Sequence, residues 1–189
     1  MDLDAPTLIN LLLQVAGGIG ALIAFLFSYR QYKKGQTWRK ARVILSLIDS
    51  FEQDKRIELA CEMIDWDERD LVVNGKRIHF KNDMLLTALR TPKMDTGFSE
   101  EETIIRDAFD AFFDFFHKLY SFQEGGLLEF SDFVYFYYWF ELICNIGKYK
   151  QDERIQQVID NYIDTYNFIG FKKLIEEYKK RKPCAALRL

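Results

Sequence analysis

TLINLLLQVAGGIGALIAFLFS, residues Thr7 to Ser28, runs for 22 positions without a charge in a chain that is otherwise rich in charges. An uncharged, mostly apolar run of about 20 residues is the length a helix needs to cross a bilayer. The flanks differ in sign: Asp2 and Asp4 precede the run, while Arg30, Lys33, Lys34, Arg39, Lys40 and Arg42 follow it. Lysine and arginine collect on the cytoplasmic side of a membrane helix. The sequence therefore predicts an uncleaved single-pass anchor, with its N-terminus outside and the long C-terminal part cytoplasmic. A cleaved signal peptide would start basic and have a shorter apolar core.

Within the run, Asn10, Gln14, Gly17, Ala21, Ala24 and Ser28 recur at helical spacing. At about 100° per residue they fall within an arc of roughly 80°. Both amides lie on that stripe, and the rest of it is small. Gly18 and Gly20 sit about 80° to either side, where they would let neighbouring helices approach. Amides in hydrocarbon need partners across a helix interface or in water. Two readings follow: a packing face that holds a dimer together, or a ring of subunits whose stripe faces a lumen, with Gly18 and Gly20 at the lateral contacts. Both require self-association.

Setting the anchor and its basic collar (residues 1–35) apart leaves a second domain, residues 36–189, long enough for one real core. Hydrophobic residues make up 49% of the chain and aromatics 16%, with 17 Phe, which is a globular composition. Between Val43 and Phe171 there are 13 Lys and Arg against 25 Asp and Glu. So acidic a body repels phosphate backbones, and direct nucleic-acid binding is not expected. Cys61, Cys144 and Cys184 are odd in number and far apart, which suits a reducing compartment rather than a disulfide framework.

Helical periodicity continues from about Gln36 to Ile64 as one helix or a helix pair. Asn74-Gly75 between short β-formers predicts a small hairpin near residues 71–80. Asp83 reads as the cap of a short helix, Met84 to Arg90. Ser99 with Glu102 forms a capping box that opens a helix from Glu100 to about Gln123, stopped by Gly125-Gly126. A further helix, Phe133 to about Lys148, is apolar nearly all round and is expected in the middle of the bundle. Residues 152–168 and 171–181 complete the chain as two helices parted by Gly170. The fold expected is all-α: one membrane helix, then a cytoplasmic helical bundle with a minor hairpin.

No chemistry is visible. There is no GxSxG, Walker or GxGxxG motif outside the apolar run. His117, in FFDFFHKLY, reads as a core or boundary residue, and His79 as an exposed hairpin residue. Asp65, Asp67, Glu68 and Asp70 lack the spacing of a calcium loop and read as a solvated turn. HEPN-type ribonucleases need Arg, four to six residues, then His; Arg77 precedes His79 by two and Arg106 precedes His117 by eleven. No enzyme, metal or cofactor is expected.

Glu58-Leu-Ala-Cys-Glu-Met-Ile-Asp-Trp-Asp-Glu-Arg69, placed after an apolar run and a basic collar, resembles bacterial single-anchor proteins with a small-x-x-Met-(Leu/Ile)-Asp-Trp core. The aromatic bundle ending in Phe171-x-x-Leu174 fits the same pattern. This architecture is similar to the small membrane accessory proteins of type VI-B CRISPR systems, whose cytoplasmic domain is likened to HEPN bundles. The resemblance implies a homo-oligomeric, ring-shaped pore that makes the inner membrane leaky, in antiviral defence with an RNA-guided RNase. With it, the pore reading comes first. A membrane-tethered interaction module comes second, and a membrane-bound ribonuclease last.

Overall fold

A computed structural model describes residues 5–73, 75–91 and 97–181, with side chains from Gly17 onward. The chain forms eight α-helices and one hairpin over these residues: α1 (Ala5–Gln53), α2 (Lys55–Asp65), β1 (Glu68–Val73), β2 (Lys76–Lys81), α3 (Asp83–Ala88), α4 (Glu100–Glu124), α5 (Tyr137–Cys144), α6 (Ile146–Tyr149), α7 (Glu153–Thr165) and α8 (Ile169–Arg181). A 3-10 turn, Phe130–Phe136, leads into α5. The mostly helical class with a minor hairpin is as the sequence predicts. Two compact units divide the chain, Met1–Leu45 and Ser46–Leu189.

Among the described residues, no helix is long and apolar enough to cross a membrane. The inner-membrane anchor expected over Thr7–Ser28, and the pore built on it, are corrected by this finding. Its described part, Gly17–Ser28, is twelve residues long and rises about 18 Å as a helix. The hydrocarbon core is about 30 Å thick. Beyond it, Arg30, Lys33 and Lys34 bring the helix back to water-seeking side chains within two turns. Asn10 and Gln14 lie outside the residues whose side chains are described.

In the second unit the core is built on α4. Phe109, Phe112, Phe113 and Phe116 are fully buried, and Phe51, Phe136, Phe140 and Phe171 close around them. Their rings meet edge-on or tilted, for instance Phe112 and Phe116 at 4.9 Å and Phe116 and Phe136 at 5.8 Å. Such pairs add about 0.5–1.5 kcal/mol each beyond area burial. The capping box is present as expected: Glu102 N–H donates to Ser99 Oγ at 3.1 Å, and Ser99 N–H to Glu102 at 2.9 Å. Gly126, at φ +69°, ends the helix in the left-handed region that glycine enters freely.

The hairpin pairs Leu71 with Ile78 and Val73 with Lys76, with Gly75 at φ +78° in its turn; Asn74 lies outside the described residues. Leu71, Ile78 and Phe80 are its buried face, so it leans on the helices as a two-stranded sheet must. Asp54 separates α1 from α2 by accepting a bond from Arg56 N–H at 2.9 Å, which settles the helix-pair alternative. The short helix begins one residue earlier than expected, at Asp83, with Asn82 in the N-cap position but no side-chain capping bond.

Two expectations fail for physical reasons. The run from Phe133 to Lys148 is a 3-10 turn and two short helices, broken at Phe133 (φ −90°, ψ 15°) and Asn145 (φ −126°). Aromatic and β-branched residues are poor helix formers, and Asn favours caps. The run is not the middle of the bundle either, since Val134, Tyr135 and Tyr138 are exposed. Second, α7 and α8 are parted by Asn167, at φ +60°, while Gly170 lies inside α8.

Candidate functional site

In the first unit, Ile19, Leu22, Ile23, Phe25, Leu26 and Phe27 each expose half or more of their surface. Nothing lies within 4 Å of a Cβ built on Gly17, Gly18 or Gly20. The described part of the predicted stripe, Gly17, Ala21, Ala24 and Ser28, thus follows one helix whose apolar side chains are exposed among the described residues. The collar residues Arg30, Lys33, Lys34, Arg39, Lys40 and Arg42 continue the same helix. Lys33 lies 5.3 Å over the Tyr29 ring.

The residues examined for chemistry have structural partners. His117 Nδ1 accepts the Gly170 N–H at 3.3 Å, at the start of α8. It thereby satisfies a donor that a helix start leaves open. Arg106, which the sequence offers only as half of a failed ribonuclease motif, clamps three elements. It donates to the carbonyls of Ala88 at 2.8 Å and Arg90 at 3.2 Å, and to the Tyr166 hydroxyl. Its guanidinium lies 4.0 Å over the Phe98 ring and 5.0 Å over Tyr162. Tyr162 in turn donates to Asp110 at 2.6 Å, and burial holds the Asp110 carboxyl above the usual range.

On the hairpin, His79 bridges two carboxylates: Nδ1 is 2.8 Å from Asp70 and Nε2 is 2.7 Å from Glu68. The bond to Asp70, then the bond to Glu68, raises its pKa above 6.5. The two carboxylates occupy opposite edges of the ring, so they cannot share one ion with it. Among the described residues no group of three His, Cys, Asp or Glu can hold a metal. Burial pushes the Cys61 thiol up, which leaves it a poor nucleophile.

A groove of about 750 Å³ runs between α2, β1 and α4, lined by Lys55, Arg56, Leu59, Arg69, Val72 and Ile104 among others. Its cations are already paired: Lys55 with Glu58 at 2.6 Å, Arg56 with Asp54 at 2.9 Å and Arg69 with Glu62 at 2.9 Å.

A different surface is unusual. Trp66, Tyr135, Tyr138 and Tyr149 expose their rings where the end of α2 meets α5 and α6. Tyr138 donates to Asp65 at 2.6 Å, and Tyr135 donates to Glu52. Burial of its hydroxyl, then Asp65, pushes the Tyr138 phenol up to about 12, so it stays a donor. Beneath them, Lys150 is 1% exposed at its side chain; it donates to the Trp66 carbonyl at 2.6 Å and lies 3.4 Å from Asp67. Burial holds its ammonium below the ordinary lysine value, against the pull of Asp67. The sequence signal was present but misread. Tyrosines three apart in a run otherwise apolar mark rings whose hydroxyls find partners at the surface.

Comparison of the chain with protein-family models, curated proteins and solved structures returned no match.

Proposed function

We propose that this protein is a non-catalytic effector that works by assembling with copies of itself through helix α1. The observation that carries the reading is the uncovered apolar stretch Gly17–Ser28. Each large apolar side chain left in water forgoes roughly 1.5–3 kcal/mol of burial. A helix bearing six of them in twelve residues is unfavourable alone, and the small residues Gly17, Ala21, Ala24 and Ser28 supply a track along which a second helix can approach closely. Both histidines bond elsewhere among the described residues, His117 to the Gly170 N–H and His79 to two carboxylates, which supports a non-catalytic role. The resemblance over residues 58–69 supports placing this assembly in antiviral defence beside an RNA-guided RNase.

Sedimentation velocity of the full chain in mild detergent, which keeps apolar helices dispersed, tests the reading. The wild type should form a discrete oligomer, and Ala21→Leu with Ala24→Leu should weaken it about tenfold or more. A wild type that stays monomeric across all concentrations refutes it. Purified protein should also leave single-stranded RNA intact. Cleavage that His117→Ala abolishes would replace the non-catalytic reading with a ribonuclease.

A further inference from the structure

We infer that the face formed by Trp66, Tyr138 and Tyr149 receives an arginine- or lysine-bearing peptide segment of a protein partner. The surface lies wholly within the second unit and is independent of assembly through α1.

Composition is the first support. Tyrosine and tryptophan are enriched where proteins meet and dominate the energetics of contact, because a large rigid ring is buried at little entropic cost. Here Trp66 is 54% exposed, Tyr138 54% and Val134, one turn before Tyr138, 67%. Contiguous exposed apolar surface of this sort marks an interaction site on a folded domain.

Charge selects the occupant. Glu52, Asp65 and Asp67 lie beside the rings, and among the described residues the cations seen here are Lys150, buried 3.4 Å from Asp67, and Arg69, over Trp66. Asp65 and Glu52 each accept one tyrosine hydroxyl, and both residues are exposed. A ring face beside a carboxylate is the environment a guanidinium or ammonium prefers. The protein already makes one such contact internally. Arg69 lies 5.3 Å over Trp66 while its guanidinium pairs with Glu62 at 2.9 Å. An acidic partner would meet like charge here, and phosphate backbones would be repelled. Lysine and arginine on an extended or helical peptide can bring a cation onto Tyr138 and Tyr149 in the same way.

Fluorescence anisotropy with a labelled arginine–serine peptide of about a dozen residues, against the full chain, tests the assignment. A glutamate–serine peptide of equal length is the control for peptide length. The arginine peptide should bind saturably and the glutamate peptide should not. Val134→Arg with Tyr138→Arg should weaken binding about tenfold or more, whereas Glu101→Arg, on the exposed first turn of α4, should change it less than about twofold. Trp66→Ala, checked for folding by circular dichroism, carries the test if the double variant does not fold. No saturable binding of the arginine peptide overturns the inference. So does an equal loss from Glu101→Arg, which would mean a diffuse attraction to an acidic body.

Discussion

Replacing Gly170 by alanine should destabilise the second unit, although alanine in a helix interior ordinarily gains about 1 kcal/mol over glycine. The added Cβ would stand 2.9 Å from the His117 Cα, 3.0 Å from its Nδ1 and 3.0 Å from the Tyr120 Cβ. Two of these three atoms are a backbone carbon and a β-carbon of α4, which no side-chain rotation can move aside. Relief requires α8 to lift from α4, over the ring cluster of Phe113, Phe116 and Phe171. Overpacking of this kind costs about 1–3 kcal/mol. The Gly170 N–H to His117 bond, worth about 1 kcal/mol, weakens as the helices part. Set against the propensity gain, the net loss is about 2 kcal/mol. With a urea m-value of about 2 kcal/mol/M, the unfolding midpoint should fall by about 1 M. Gly35→Ala, in α1 with nothing within 4 Å of the new Cβ, is the matched control and should not lower stability. If Gly170→Ala unfolds at the wild-type midpoint or above it, the close approach of α8 to α4 is wrong.

His79 should titrate above 6.5 by NMR, and Asp70→Asn should move its midpoint down, because the Asp70 bond is the larger cause of the upward shift. The folded pKa is raised, so the stability this group contributes is complete below the unfolded value and is lost as pH rises through the folded one. A midpoint at or below 6.5 refutes the bridging geometry. Arg106→Lys keeps the charge but loses the planar fork that reaches Ala88, Arg90 and Tyr166 together. It should cost about 2 kcal/mol, seen as a melting temperature lower by roughly 4–8 °C. An unchanged melting temperature would show that the clamp contributes nothing.

Local signals with a backbone mechanism were readable from the residues. Ser99 and Glu102 announced α4, and Asn74-Gly75 announced the hairpin, because capping and turn geometry depend on near neighbours only. Signals that depend on distant contacts were not. Gly170 looked like a helix break but is glycine because His117 and Tyr120 approach it from another helix. Asn167, the true break, was hidden because left-handed backbone is commoner at glycine. The aromatic run after Phe133 looked wholly buried because apolar character does not say which tyrosines reach an exposed carboxylate, as Tyr135 reaches Glu52 and Tyr138 reaches Asp65. Arg106 looked like a failed catalytic motif because the five groups it joins come from three separate segments, at residues 88–90, 98 and 162–166. The apolar run was read as a membrane span from its full 22 residues, and its described portion is too short to bear that out.

The Glu102 carboxylate has a second office beyond capping. Arg90 reaches it at 2.5 Å and also donates to the Gly97 carbonyl at 3.0 Å, so the residues just before and just after positions 91–96 are moored to the same few atoms. A single change at Glu102 therefore loosens two things together, the first turn of α4 and the hold on Arg90.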